Sequence, residues 1–239
     1  MKTVLITGAN KGIGLETAKQ LAGLGYFVYI GSRNPIKGFD ALEQLKSQGL
    51  NNIDNIVIDV TNEDSIKSAK EEMETKIDKL DVLINNAGVE GGQPQMVCNL
   101  EQKKLREIFD TNFFGTVQVT QHLLDLLDKS EEPRIINISS GLASLTNQYK
   151  AIGPDYRMYD AYACSKTALN AFTVMLSQEL GNEKFKICCI APGYTATEMN
   201  RFRGFQTVKQ AAEIIIKYGL LNNDTVTGKF YGRDGELPW

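Results

Sequence analysis

The chain is predicted to be an α/β protein: one doubly wound domain over residues 1–239, with a seven-stranded parallel sheet flanked by helices on both faces. Three observations predict it. Short runs rich in Val and Ile alternate with longer amphipathic stretches, no linker or repeat divides the 239 residues, and a glycine-rich turn follows the first apolar run.

The apolar runs fall at residues 4–7, 27–31, 56–59, 82–85, 135–139 and 187–191, and their unbroken hydrophobicity suits strands covered on both faces. Amphipathic stretches lie at 12–24, 39–48, 63–78, 100–128, 160–181 and 207–219. Their strict alternation with the strands implies right-handed crossovers. A last strand at 229–232 closes the sheet. The longest irregular segments, 90–99, 141–159 and 193–206, each follow a predicted strand. They should therefore gather at the carboxyl edge, where ligands bind in such sheets.

Composition narrows the function. A net charge of -3 with 23% charged residues gives no broad field for nucleic acid or a membrane surface. The opening apolar run, Val4-Leu5-Ile6, is too short for a signal peptide or a membrane span, so a cytoplasmic protein is expected. Cys98, Cys164, Cys188 and Cys189 show no metal-binding spacing and read as reduced thiols, the last two on opposite faces of a strand. His122 is the only histidine. That excludes a multi-histidine centre, and no metal is expected.

Directly after the first strand comes Thr7-Gly8-Ala9-Asn10-Lys11-Gly12-Ile13-Gly14, which opens a helix. Gly8, Gly12 and Gly14 permit a tight turn and close backbone approach to a pyrophosphate at the helix N-terminus, as in a Rossmann dinucleotide site. At the end of the second strand Ser32-Arg33 stands where an acid would select NAD, and Lys11 can reach the same ribose. Two cations and a hydroxyl suit a 2′-phosphate, so NADPH/NADP is the expected cofactor. Asp59-Val60 and Asn85-Asn86-Ala87-Gly88 end the third and fourth strands. On their own they are equally a helix N-cap and a turn.

Tyr162 and Lys166 stand four apart in a predicted helix, so phenol and ammonium share one face and can converge on one reacting atom. Ser140 closes the preceding Asn137-Ile138-Ser139-Ser140 strand end. With Asn112, Pro192-Gly193 and the glycine turn in the same order, the chain resembles the short-chain dehydrogenase/reductase family over essentially its whole length. Asn10 to Leu15, Asn112-Phe113-Phe114-Gly115-Thr116 and Cys188-Cys189 look most like its NADPH-dependent carbonyl reductases.

The resemblance implies that Tyr162 is the general acid of reduction, its phenol lowered toward neutrality by Lys166 and the oxidised nicotinamide. It implies that Lys166 also holds the nicotinamide ribose, that Ser140 bonds the substrate oxygen, and that Asn112 fixes a water leading to Lys166. It assigns Asp59, Val60, Asn86, Ala87 and Gly88 to the cofactor's surroundings. Pro192, Gly193, Thr195 and Thr197 are assigned to the segment that cups the nicotinamide.

Ser140 and Tyr162 are 22 positions apart, longer than the family interval, which places an insertion within 147–160. Its Tyr149, Ile152, Pro154, Tyr156, Met158 and Tyr159 are expected to form a substrate lid, facing Met199, Phe202 and Phe205 of a substrate loop at 193–206. Arg201 and Arg203 read as solvated charges. The expected partner is a small hydrophobic aldehyde or ketone, with monomer and homo-oligomer both open. A 3-ketoacyl-thioester or hydroxysteroid reductase, and a non-catalytic NADP sensor, are the alternatives.

Overall fold

The computed structural model describes residues 1–150, 158–180, 184–221 and 227–239. Its strands are β1 (Thr3–Ile6), β2 (Phe27–Ser32), β3 (Ile53–Val57), β4 (Val82–Asn85), β5 (Arg134–Ile138), β6 (Lys186–Ile190), β7 (Lys229–Gly232) and β8 (Gly235–Glu236). They form one sheet in the order β3-β2-β1-β4-β5-β6-β7-β8. The first seven are parallel; β8, which was not expected, adds two antiparallel residues beyond β7. The chain runs outward from β1 to β3 and then resumes at β4 on the other side of β1. That reversal opens a crevice between the carboxyl ends of β1 and β4.

Period-two alternation sends neighbouring residues of each strand into different layers. Val4, Ile6, Ile30 and Ile84 pack under α1 (Gly12–Gly23), α2 (Pro35–Lys46) and α8 (Val208–Ile216). Leu5, Tyr29, Leu83 and Ile135 pack under α3 (Glu63–Glu74), α5 (Gly115–Asp128) and α7 (Asp160–Glu179). Cys188 joins the first layer, whereas Cys189 turns to Thr173 of α7, and all four cysteines are free thiols.

Several predicted boundaries move for local reasons. β3 begins at Ile53, because its register against Val28 to Ser32 starts there. α2 begins at Pro35, since the Asn34 side chain accepts from Lys37 N–H at 3.0 Å and proline suits a first helical turn. The stretch 100–128 divides into α4 (Gln102–Phe109) and α5 around a π-helical turn at Asp110–Phe114. A second such turn, Lys217–Leu221, follows α8. Within 141–159, expected to be irregular, stand a 3-10 turn at Gly141–Ala143 and α6 (Leu145–Lys150), with Ser144 Oγ accepting from Asn147 N–H at 3.1 Å. Of the lid at 147–160, residues 151–157, with Ile152, Pro154 and Tyr156, lie outside the described residues. No helix among the described residues is long and apolar enough to cross a membrane.

Candidate active site

A cleft of about 1520 Å³ runs along the carboxyl edge of the sheet. One end is built from the turns after β1 and β4, which are bonded to each other. Thr7 Oγ1 accepts from the Asn86 and Ala87 N–H groups, both at 3.0 Å, and Asn86 Nδ2 donates to the Thr7 and Gly8 carbonyls at 2.9 and 3.1 Å. Glycine is required here. Gly8 has φ +64°, and a Cβ on it would lie 2.9 Å from Ala87 Cα; one on Gly14 would lie 2.5 Å from Asn86 Nδ2. Lys11 stands at the N-cap of α1 with no side-chain capping bond, so the first N–H groups of that helix face the cleft unspent.

Asn10, Lys11, Gly12, Ile13, Arg33, Asp59, Val60, Asn86, Ala87 and Gly88 line this end with Gly8 and Gly14. Two details differ from expectation. Ser32 is buried and does not line the cleft; its Oγ donates to the Asn34 carbonyl at 3.0 Å and turns the chain into α2. Lys11 Nζ is engaged with Glu198 Oε2 at 2.5 Å, an exposed pair that joins the glycine turn to the loop after β6. Asp59 accepts from the Thr61 N–H and hydroxyl, while the N-cap of α3 is Asn62.

At the centre of the cleft α7 presents Tyr162 and Lys166, and the end of β5 presents Ser140. The Ser140 hydroxyl stands near enough to the Tyr162 phenol to act against the effect of its burial. Lys166 is buried, donates from Nζ to the Ile138 carbonyl at 2.8 Å, and lies 5.9 Å from the centroid of the Tyr162 ring. Asn112 sits behind them in the π-helical turn, fully buried and outside the cleft lining. Its amide bonds both backbone groups of Val89, at 2.8 and 2.9 Å, and the Ser165 hydroxyl at 3.0 Å. Meeting those partners explains a one-residue widening of the helix, a feature frequent at functional sites.

A family model described as short chain dehydrogenase matches residues 2–206. The chain belongs to the short-chain dehydrogenase family. Among its relatives, (+)-neomenthol dehydrogenase of Capsicum annuum is 30% identical, covering 96% of this chain and 95% of that one. Salutaridine reductase of Papaver bracteatum is 28% identical, covering 97% and 94%. Among solved structures, the NADPH-bound carbonyl reductase from chicken fatty liver superposes with a TM-score of 0.87 at 28% identity, covering 100% and 99%. ElxO with NADP bound gives 0.83 at 26%, covering 97% and 96%.

In this short-chain dehydrogenase burial dominates the electrostatics of the centre. It pushes the Tyr162 phenol up to about 12, against the nearby Ser140 hydroxyl and with the charge of Glu90. Burial likewise brings the Lys166 ammonium down to about 8. The lowering of Tyr162 by Lys166 that the sequence led one to expect is therefore not a feature of the protein alone. Pro192, Gly193, Thr195 and Thr197 line the far side of the cleft, where buried Gln206 donates to the Pro192 carbonyl at 2.8 Å. His122 lies off the cleft, 3.6 Å from Glu63.

Sequence reasoning missed two residues of the segment after β4. Gln95 is fully buried, accepts the Tyr162 N–H at 2.9 Å, and donates to the Glu90 and Gly92 carbonyls at 2.5 and 2.6 Å. Glu90 lines the cleft beside Tyr159 and Tyr162. Neither belongs to a motif, and no local spacing marks them.

Proposed function

We propose that the chain is an NADPH-dependent carbonyl reductase that turns aldehydes or ketones into alcohols. The observation that carries this reading is one cleft lined by Ser140, Tyr162 and Lys166 at its centre and by an uncapped helix N-terminus at one end. The residues fit the cofactor. Unspent N–H groups of α1 and the close backbone approach at Gly8 and Gly14 suit a pyrophosphate, and Lys11 and Arg33 supply cations for a 2′-phosphate once Lys11 exchanges Glu198 for it. Relatives that hold NADPH or NADP support the same choice. When bound, NADPH supplies the hydride.

The protein supplies the proton. Tyr162, held protonated by burial, donates from its hydroxyl to the carbonyl oxygen as negative charge develops there, and Ser140 donates a second hydrogen bond to that oxygen. A pure sensor has no need of a proton donor at this position. Lys166, pinned by the Ile138 carbonyl, stands where it can hold the ribose and restore the proton to Tyr162, with Asn112 fixing the wall behind it. Pro192 to Thr197 closes the opposite side of the ring-binding space, and Met199 and Phe202 extend it toward the substrate. NADPH absorbance followed against a panel of aldehydes, aromatic ketones and ketoesters tests the proposal. Oxidation of NADPH with matching alcohol formation is expected, and its absence across the panel would sink it.

A further inference from the structure

We infer that Glu90 is a substrate-recognition carboxylate and that the cleft selects carbonyl compounds bearing a protonated amine. This rests on the reductase reading above and adds a substrate class to it. Glu90 lines both the main cleft and an adjoining recess of about 270 Å³. It is half-buried, and its Oε1 accepts from Gln93 Nε2 at 2.9 Å. Its carbonyl is held by Gln95, whose other amide atom accepts the Tyr162 N–H. One buried amide thus ties the segment that carries the carboxylate to the turn that carries the reacting phenol, over a sequence separation of 67 residues.

Among the described residues no cation pairs with Glu90. Arg201 and Arg203 line the same recess, but both are exposed and neither reaches the carboxylate. The recess holds no tyrosine among the described residues, but on the main-cleft side of Glu90 stand Tyr159 and Tyr194. Tyr159 lies close enough to Tyr194, Glu90 and Gln93 for each to influence its phenol, and Tyr194 meets Phe205 edge to face at 5.9 Å. A carboxylate beside aromatic faces is the chemistry that recognises an alkylammonium, by charge and by cation–π attraction together. An apolar ketone filling this space would strip water from Glu90 and leave its charge answered only by the Gln93 amide, which is costly. Burial first, and the charge of Glu90 among the smaller causes, keeps both Tyr159 and Tyr162 protonated, consistent with a carboxylate close to the reacting end.

Two ketones of equal shape test the inference: para-(dimethylaminomethyl)acetophenone, protonated at neutral pH, and para-isobutylacetophenone. With saturating NADPH, the ammonium ketone should show a kcat/KM roughly tenfold above its neutral isostere, and Glu90→Gln should bring the ratio to about one. Retained NADPH binding by Glu90→Gln serves as the control for folding. Equal turnover by the unaltered protein, or a ratio that survives Glu90→Gln, would overturn the inference while leaving the reductase reading intact. Calorimetric titration of the NADPH-loaded protein with N,N-dimethylbenzylamine reads the same subsite without turnover. Binding that Glu90→Gln abolishes supports the subsite even if neither ketone is reduced, an outcome that contradicts the reductase reading alone. No binding of the amine contradicts the subsite.

Discussion

The two ends of the cleft are built on opposite plans. At the cofactor end, the turns after β1 and β4 bond to each other through Thr7 and Asn86, and a methyl added to Gly8 or Gly14 would collide with backbone. At the end proposed for the substrate the loop after β6 carries Arg201 and Phe202 at φ +54° and +58°, and exposes 67% of Phe202 and 79% of Phe205. A dinucleotide is gripped by main chain, which demands glycine and tight packing. A substrate is gripped by side chains, which loops can exchange without disturbing the sheet.

The sharpest break between the ends should come at the residue where they meet. Tyr162→Phe is expected to lower ketone reduction by roughly 10²–10⁴-fold while NADPH still binds, measured by steady-state kinetics and by quenching of protein fluorescence. Unchanged turnover would remove the phenol from the chemistry. Gly14→Ala places a methyl 2.9 Å from both Ala9 Cα and the Gly8 carbonyl oxygen. It should cost about 1–3 kcal/mol in urea unfolding, whereas Phe202→Ala should stay within about 0.5 kcal/mol and raise KM for aromatic ketones. Equal losses at the two sites would erase the contrast.

A smaller effect sharpens the cofactor end itself. Arg33→Ala should weaken NADPH by about tenfold or more and NADH hardly at all, in equilibrium titrations; parallel losses would argue against a 2′-phosphate contact. The smallest signal is a pH dependence. Lys166 falls from 10.5 to about 8 on folding, chiefly through burial, so between those values the unfolded chain holds the extra proton. Stability of the cofactor-free protein should therefore rise with pH from about 8 toward 10, and Lys166→Met should flatten that rise. A slope that persists in the variant would assign the titration elsewhere.

Much of the cofactor end was legible because its signals are local. The glycine spacing, the strand before it and the helix after it lie within a dozen residues, and the steric need for glycine does not depend on distant parts of the chain. Ser32 is the exception: its hydroxyl has a nearer partner in the Asn34 carbonyl, and a short polar side chain at a strand end serves the following turn before it serves a ligand. Of the aromatic loop after β6, Met199 and Phe202 line the cleft and Phe205 does not, and the helix at 145–150 was not legible, since its start depends on capping by Ser144.

Sequence by itself determined the order of the seven parallel strands, the glycine turn, and the four-residue spacing that sets phenol and ammonium on one helical face. Only the tertiary structure decided that Gln95 ties Glu90's segment to Tyr162, that Asn112 opens a π-helical turn to reach Val89 and Ser165, and that burial moves Tyr162 up and Lys166 down. Backbone periodicity is written in neighbouring residues. Desolvation and long-range hydrogen bonds come into being only when distant segments exclude water from each other.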